Sequence, residues 1–447
     1  MDFIQHGMSA YRANDPDEAA RAFDAALIGD PASPGAAFGL GLVNFEAGRM
    51  GQALAFFERC ARMEPDDPAP FNEIGRIHQK LGDYERATAL FRHALSIEPE
   101  HVPALGNLGM SLMHIGDLDG AEEYTRKAID VGLLDMTAED AQRNLGLVLL
   151  HRQQWRDAWP LYRKGLGHGS RKDRGYPGTT EWEPGYEGKT VIYGEQGIGD
   201  QVLFASCIPD ALDHIDRPII EVERRLGPLF ARSFPQAKVF GTLKDVPEWL
   251  PTERPTKRVA MGDLPYFYRL EDSDFPGTPY LKANPAMRAM VRGLLDTLPR
   301  PKKVGIAWTG GLAETGRDGR SLNIHEIMPA FDGIDASFIS LEYQHDPEVD
   351  PREVGVNVFD FLTDRTLDYD YTAALVAELD AVISVPTAVL HLAGALGTPT
   401  IVMLDKTPAW RCGGPTMPWY QSVDVLKGWT GESLSARLRE VLDNGAV

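Results

Sequence analysis

Small and apolar residues recur along the N-terminal part of the chain with a period of 34 residues. Four columns keep this step, and they are Gly7, Gly41, Gly75 and Gly109; Ala19, Ala53, Ala87 and Ala121; Phe23, Phe57 and Phe91; and Pro31, Pro65 and Pro99. Between these columns the apolar residues follow helical spacing. Small residues suit close helix crossings, the phenylalanines fill the space between units, and proline ends the second helix because it lacks an N–H donor. The period therefore predicts stacked helix–turn–helix units, an α-solenoid.

The pattern weakens towards the end of this region. In a fourth unit, about 103–136, Thr125 replaces the aromatic residue and Leu133 replaces the proline. A fifth, degenerate unit through 138–166 keeps Gly146, Ala158 and Tyr162 at the earlier offsets, so we expect the array to span 1–166. Stacked units leave a concave face that commonly holds an extended peptide. We expect a protein or peptide partner in this groove, with self-association into a homo-oligomer as the alternative.

A different pattern begins after the repeats. Residues 167–189 are rich in Gly, Pro and charge, and we predict that they form a connection. The β-rich run Thr190–Tyr193 then leads into GEQGIGD, residues 194–200, and an apolar helical stretch. A glycine turn between a strand and a helix lets a ligand approach the backbone, and the helix N-terminus offers N–H groups to an anion. The turn is neither a GKS/GKT phosphate loop nor a GxGxxG fingerprint, so by itself it is a weak signal.

Two β/α series follow one another in the remaining sequence. In the first we predict further strands at 218–222, 237–240 and 258–261 and a helix at 224–233. In the second we predict strands at 303–308, 337–341, 381–385 and 399–404, with helices near 322–331, 372–379 and 387–396. Thr387 is the N-cap candidate of the last helix and Gly397 its stop. We expect Rossmann-like lobes at 190–285 and 286–447, with a ligand in the cleft at the carboxyl ends of their strands.

The composition narrows the class of partner. The 447 residues carry a formal net charge of −20, which disfavours binding to nucleic acid and to anionic membranes, although solubility alone also explains it. No apolar run is long enough to span a bilayer, and no secretion signal is evident, so we expect a cytoplasmic protein. Cys60, Cys207 and Cys412 lie far apart without a CxxC pair. That spacing argues against disulfides and against a structural metal site.

Several stretches together resemble one protein family. The most specific are EQGIGDQ at 195–201 and TAVLHLAGALG at 387–397, accompanied by VGIAWTGG, FISLE, AWR and PWY. They are similar to bacterial tetratricopeptide-repeat proteins with a heptosyltransferase-like region of GT-B fold. That region is distantly similar to ADP-heptose transferases and, in domain order, to O-linked N-acetylglucosamine transferases. The resemblance covers nearly the whole chain, and it implies an inverting, metal-independent glycosyltransferase that needs no cofactor beyond its nucleotide-sugar substrate.

The resemblance also assigns roles to individual residues. Asp200 corresponds to the general base, because an alcohol must lose its proton as it attacks the anomeric carbon; the alternative is that Asp200 only caps its helix. The implied donor-binding residues are Gly199, Gln201, Thr309, Gly310, Gly311, Arg320, Glu342, Thr387, Ala388, His391 and Arg411. Among these, the arginines either neutralise the diphosphate or are solvated loop charges, and His391 either contacts the donor or is structural. Trp308 and Trp410 either stack on a base or sugar or pack in the core.

Three positions depart from the family pattern. Pro386 stands where the family usually has the Asp of V-D-T, which contacts the donor sugar; Glu342 replaces the Gln of SLQ, and Gly311 replaces an Asn. Two functions follow. The first is a glycosyltransferase that modifies a Ser or Thr of a protein held by the repeats, favoured by Asp200 and the helix at Thr387. The second is a catalytically degenerate GT-B scaffold that acts as a protein-interaction adaptor, favoured by Pro386.

Overall fold

The computed structural model describes residues 2–131, 137–169, 171–242, 247–310, 321–342, 350–359, 369–404 and 417–444. The chain divides into two compact units, 1–148 and 149–447. The first unit is helical, and the second is built on two sheets of parallel strands. None of the helices in the described ranges combines the length and apolar composition that crossing a membrane requires.

The first unit consists of helix pairs in the predicted period. Its helices are α1 (Phe3–Arg12), α2 (Pro16–Gly29), α3 (Pro34–Glu46), α4 (Met50–Met63), α5 (Pro68–Lys80), α6 (Tyr84–Ile97), α7 (Val102–His114) and α8 (Leu118–Val131), followed by α9 (Thr137–His151), which runs into the second unit. The turns inside three pairs use Gly48, Gly82 and Gly116, with φ values of 74°, 80° and 86°. Glycine adopts this left-handed conformation without a Cβ penalty, which explains its recurrence at the ends of α3, α5 and α7.

The glycine and phenylalanine columns pack against each other. Phe57 on α4 is fully buried, and a Cβ added at Gly41 on α3 would lie 2.5 Å from its ring. One period later a Cβ at Gly75 on α5 would lie 2.5 Å from the ring of Phe91 on α6, which is also fully buried. The helix–turn–helix prediction is confirmed, and each glycine is small because a phenylalanine ring lies directly on its backbone.

The first sheet of the second unit has five described strands in the order β1-β5-β2-β3-β4, all parallel. Its strands are β1 (Thr180–Glu181), β2 (Lys189–Tyr193), β3 (Arg217–Val222), β4 (Lys238–Gly241) and β5 (Lys257–Ala260). The helices of this part are α10 (Trp155–Arg163), α11 (Ile198–Phe204), α12 (Ile208–Leu212), α13 (Gly227–Ser233), α14 (Leu250–Glu253), α15 (Pro265–Tyr268) and α16 (Pro285–Leu295). The register places Val191 on β2 opposite Ile219 on β3, both buried. Such continuous apolar runs are expected where both faces of a parallel sheet are covered.

The second sheet has six described strands in the order β11-β10-β9-β6-β7-β8, again all parallel. Its strands are β6 (Lys302–Ala307), β7 (Ala336–Ser340), β8 (Val356–Asn357), β9 (Ala381–Ser384), β10 (Thr400–Leu404) and β11 (Val423–Lys427). Its helices are α17 (Ile324–Ile327), α18 (Asp370–Val376), α19 (Ala388–Leu396) and α20 (Gly431–Asn444). Leu434 and Leu438 of α20 join the core formed by Ile306, Ile383 and Ile401 of the strands. The second unit is therefore an α/β structure, as the alternation of patterns predicted.

Each strand predicted in the two β/α series lies within one residue of an observed strand. The structure adds elements that the sequence pattern did not predict: β1, β8, β11, α14, α15, α16 and α20. The helix predicted near 322–331 is the short α17 followed by a 3₁₀ turn, Met328–Phe331. Pro329 explains the break, because proline removes a helical hydrogen bond and its ring clashes with the preceding turn.

Two segments before the first sheet are integrated into the second unit. The helix α10, predicted as part of the array, lies in this unit, where Trp155 Nε1 donates to Asp272 Oδ1 at 2.7 Å and Trp159 Nε1 donates to the carbonyl of Arg269 at 2.6 Å. The predicted connection 167–189 supplies β1, and its Tyr176 is buried with the hydroxyl donating to the Glu221 carboxylate. These contacts fix both segments to the α/β unit.

Candidate functional site

The glycine turn predicted at 194–200 connects the carboxyl end of β2 to α11, and Gln201 holds it closed. The amide nitrogen of Gln201 donates to the carbonyl of Gln196 at 2.7 Å, and its amide oxygen accepts from the backbone N–H of Glu223 at 2.9 Å. Gly194 is required here, because a Cβ at that position would overlap the Gln201 side chain. Gln201 was predicted to bind a donor, but its buried amide is engaged in fixing the turn.

Asp200 lies in the first turn of α11 and is half-buried. The N-cap of this helix is Gly197, and Asp200 is the third helical residue, so the alternative that Asp200 is the cap is wrong. A carboxylate in the first turn is stabilised by the positive end of the helix dipole. The turn thus presents a carboxylate at the carboxyl end of a central strand, the edge where doubly wound sheets bind ligands.

The second sheet contributes a turn after β6. The carboxylate oxygen Oε1 of Glu342, which follows β7, accepts the N–H of Trp308 at 2.7 Å and the N–H of Thr309 at 2.8 Å. The N–H of Gly310 donates to Ser321 Oγ at 2.9 Å. Glu342 is 5% exposed. Glu342 therefore orders the Trp308–Gly310 turn through its backbone, whereas the sequence predicted direct donor binding.

The third part of the site follows β9. Thr387 is the N-cap residue of α19, as predicted, but its side chain does not cap the helix; its hydroxyl lies 3.3 Å from Ser384 Oγ. Ser384 Oγ donates to the carbonyl of Val385 at 2.6 Å, so Thr387 supplies the proton between the two hydroxyls. Gly397 ends the helix with a φ of 79°, as predicted. The N-terminus of α19 is a candidate anion site by its dipole and its N–H groups.

The parts of the site on the second sheet lie at one edge because the strands that carry them are neighbours. In the second sheet β9, β6 and β7 are adjacent, so Thr387, Thr309 and Glu342 follow the carboxyl ends of three consecutive strands. The backbone N–H of Val385 donates to the carbonyl of Ala307 at 3.0 Å and ties two of the three ends together.

The starts of α11 and α19 are in contact. A Cβ added at Gly199 would lie 3.2 Å from Ala388 Cα and 3.4 Å from His391 Cδ2. The two helices follow strands of different sheets, so this contact joins the glycine turn of the first sheet to the helix N-terminus of the second. Gly199 is small because the backbone of α19 leaves no room for a side chain.

His391 lies on α19 beside Gly199 and is 5% exposed. Its Nδ1 is 3.3 Å from the hydroxyl of Tyr420, which is also buried.

Four of the predicted residues, Gly311, Arg320, Arg411 and Trp410, lie outside the described residues. Trp308 is 8% exposed and belongs to the core of the second sheet, which is its predicted packing role. The described ranges hold no group of three or more His, Cys, Asp or Glu arranged to bind a metal ion.

A buried charge cluster lies behind the glycine turn, and the sequence pattern did not predict it. Arg171 donates to Asp263 Oδ1 at 2.7 Å, to Glu195 Oε1 at 3.0 Å and to the carbonyl of Tyr162 at 2.7 Å. Glu195 also accepts the N–H of Gly262 at 3.2 Å. Burial raises the pKa of Glu195, and the Arg171 guanidinium offsets part of that effect. The cluster joins α10, the 167–189 segment and the turn preceding Asp200 into one body.

Comparisons with known proteins identify the N-terminal repeats. Two tetratricopeptide-repeat family models match residues 4–68 and 79–131. The chain therefore contains tetratricopeptide repeats, as the 34-residue columns predicted. The repeats belong to a class that commonly binds peptides or proteins.

Similarity to named proteins is partial. The chain is similar to FlbA of Caulobacter vibrioides, with 31% identity over 256 residues that cover 53% of this chain and 42% of FlbA; it thus spans less than half of that relative. Among solved structures, PilF of Pseudomonas aeruginosa is 19% identical, covering 38% of this chain and 76% of PilF, with a TM-score of 0.34. The protein TTC0263 of Thermus thermophilus is 18% identical, covering 37% of this chain and 90% of its own, with a TM-score of 0.33.

Proposed function

We propose that this chain is an inverting, metal-independent glycosyltransferase of GT-B type, which moves a sugar from a nucleotide-sugar to a Ser or Thr hydroxyl of a protein held by its repeats. The observation that carries the proposal is the contact of Gly199 with Ala388 and His391. It brings the turn that bears Asp200 next to the N-terminus of α19. Transfer of a sugar from a nucleoside diphosphate to an alcohol needs a base for the alcohol proton and a site for the diphosphate anion. A carboxylate next to a helix N-terminus can supply both.

In the proposed reaction Asp200 takes the proton of the acceptor hydroxyl as the hydroxyl oxygen attacks the anomeric carbon. The bond from that carbon to the diphosphate oxygen breaks, and the nucleoside diphosphate leaves with the electron pair. The N–H groups at the start of α19 stabilise the charge that develops on the diphosphate. The repeats bind the acceptor polypeptide, in keeping with the use of such arrays.

The alternative is a degenerate GT-B scaffold that serves as a protein-interaction adaptor. Two features favour it. Pro386 has no side-chain group that could bind a donor sugar, and Gln201 and Glu342, predicted to contact the donor, use their side chains to hold backbone turns. An adaptor retains the repeats and the two sheets and has no need of Asp200.

One experiment distinguishes the proposed transferase from the scaffold. Purified protein is titrated calorimetrically with UDP-, ADP-, GDP- and CMP-sugars, and hydrolysis or transfer is then followed for any sugar that binds. For the enzyme we expect Asp200→Asn to bind the same donor and to lower kcat by about 10²- to 10⁴-fold, the contribution of a general base. Asp213→Asn, an exposed carboxylate at the end of α12, is the matched control and keeps the wild-type rate.

Binding without turnover in the wild type supports the scaffold. Binding of none of the four donor classes, or wild-type turnover by Asp200→Asn, contradicts the proposed transferase.

A further inference from the structure

The residues that follow the column glycines form a further column of the repeat array. They keep the 34-residue period, are half-buried and lie on the first helix of each pair: Met8, Leu42, Arg76 and Met110. The glycines face the second helices, and each step along a helix turns the side chain by about 100°. The column therefore lies on the layer of first helices, in which α1 contacts α3 and α5 contacts α7. An arginine is unexpected there, because the other members of the column are apolar.

Arg76 belongs to a charged stripe on α5. Glu73, Arg76 and Lys80 are spaced at three and four residues, so they share one face of the helix. Both cations lie over the ring of Phe45 on α3, with Arg76 Cζ 4.6 Å and Lys80 Nζ 4.9 Å from its centre. The face of an aromatic ring attracts cations, which offsets part of the repulsion between two like charges four residues apart. The stripe thus presents two positive charges side by side.

Glu73 fixes Arg76 and leaves most of its hydrogen-bond donors unused. The carboxylate oxygen Oε2 of Glu73 accepts from Arg76 Nη1 at 2.6 Å, and Oε1 accepts from Asn72 Nδ2 at 2.9 Å. Glu73 is 7% exposed, whereas the Arg76 side chain is 35% exposed. Burial raises the pKa of Glu73, and the Arg76 charge offsets part of that effect. Among the described residues Arg76 thus uses one of its five N–H groups, and the others can donate to a ligand.

The other charges on this face leave Lys80 without a carboxylate. Lys80 is exposed, and no acidic side chain in the described ranges pairs with it. Glu46, the exposed residue after Phe45, lies near Tyr11 of α1: burial and the Glu46 charge raise the pKa of Tyr11, and Arg76 lowers it. Within the part of the chain that the structure describes, Glu46 forms no ion pair with either cation. The two cations can therefore accept a carboxylate from another molecule.

We propose that Arg76 and Lys80 bind the carboxylate of an Asp or Glu side chain in an extended polypeptide that lies along the first helices of the repeats. The two oxygens of a carboxylate accept charge-assisted hydrogen bonds from a guanidinium and an ammonium together. On either side along the array, Leu42 and Met110 offer apolar contacts to the neighbouring residues of that segment. The net charge of −20 repels a polyanion, so the segment carries this acid among uncharged residues. This binding site depends on the part of the proposed function in which the repeats hold a polypeptide, and not on sugar transfer.

The probe is a library of short random peptides displayed on phage, which is selected against the immobilised full chain. We expect the selected peptides to favour Asp and Glu over Asn and Gln at one position, with apolar residues beside it. One selected peptide and its Asp→Asn or Glu→Gln counterpart are then synthesised with a fluorescent label. Their Kd values for the full chain are measured by fluorescence anisotropy.

The decisive variant is Lys80→Gln, because an exposed side chain can be changed without disturbing the fold. It should weaken binding of the acidic peptide about threefold to tenfold and leave the amide peptide unchanged. Lys127→Gln, which removes an exposed lysine from α8, is the matched control and keeps both Kd values. Glu46→Gln should tighten binding of the acidic peptide, because it removes a like charge from the same face.

Selected peptides without an acidic preference, or an equal effect of Lys80→Gln on both peptides, overturn the carboxylate site while the repeats still hold a polypeptide. If no peptide is selected, the holding role in the proposed function fails together with this site. The calorimetric titration with nucleotide-sugars then still tests the donor site of the transferase, because it does not depend on a bound polypeptide.

Discussion

Thr125 offers a direct test of how the repeat array is stabilised. It occupies the position on α8 that phenylalanine holds in the three preceding units, and it is fully buried. Its hydroxyl has no hydrogen-bond partner among the described residues. Gly109 lies beneath it, and a Cβ there would overlap the Thr125 hydroxyl. The array therefore holds a buried, unsatisfied hydroxyl where its own pattern has an apolar ring.

The substitution Thr125→Val replaces this hydroxyl by a methyl group of similar shape. A buried donor without a partner costs about 1–3 kcal/mol, and the added methyl buries apolar surface worth about 0.8 kcal/mol. Together these two contributions should raise the free energy of unfolding of the first unit by about 2–4 kcal/mol. For a unit of 148 residues, this corresponds to roughly 2–4 °C in Tm for each kcal/mol.

Calorimetry of the full chain measures the Tm, and hydrogen exchange of peptides from α7 and α8 locates the change. The control is Thr125→Ser, which keeps the hydroxyl and removes the methyl, and which we expect to lose about 1 kcal/mol. If Thr125→Val lowers the Tm or leaves exchange in α7 and α8 unchanged, the hydroxyl is satisfied in solution and the reasoning is wrong.

Three further changes test other parts of the molecule. Gly75→Ala places a Cβ 2.5 Å from a buried ring and should cost about 1–3 kcal/mol in thermal unfolding, whereas Gly51→Ala, with no atom within 4 Å, should gain about 0.5–1 kcal/mol; equal effects would contradict the packing argument. Arg171→Met leaves the buried Glu195 without its cation, while Asp263 keeps its pairing with Arg163, and should cost about 3–5 kcal/mol in urea unfolding, against less than about 0.5 kcal/mol for the exposed Arg217→Met; similar small losses would show that the cluster is not essential. Burial raises the pKa of Cys207 from 9.0 to about 11, so the unfolded thiol ionises first and stability falls from pH 9 to 11. Cys207→Ala should remove about 3 kcal/mol of that fall, and identical pH profiles would contradict the assigned burial.

Elements with a strong local signal were predictable. The columns that contain Gly41 and Phe57 predicted the helix pairs. The strands β2 and β9 were predicted because each is an apolar run followed by a glycine or a helix cap. Helix α20 also carries a local signal, since Leu434, Leu438 and Val441 are spaced at four and three residues and are buried, but it was not assigned. The two-residue strand β1 offers no alternation at all, so only its pairing with β5 defines it.

The candidate site was predictable only in part, because its supports come from distant segments. Asp200 and Thr387 stand out as polar residues that follow buried strands. Arg171, by contrast, lies 24 residues from Glu195 and 92 from Asp263, in a stretch without periodicity, and no spacing rule connects them. A buried charge cluster is recognised by burial and pairing, and these are properties of the folded chain.

In the family that the sequence resembles, Gln stands where this chain has Glu342, and the contacts of Glu342 are compatible with either residue. Glu342 uses one oxygen, Oε1, to accept the N–H groups of Trp308 and Thr309, and the amide oxygen of a glutamine could accept the same two bonds. The carboxylate therefore keeps the turn and adds a negative charge near the edge where a diphosphate is expected. With Asp200 on the facing helix, the described part of the candidate site is rich in acceptors. Negative side chains repel a phosphate, so the proposed transferase would bind its diphosphate through the backbone N–H groups at the start of α19.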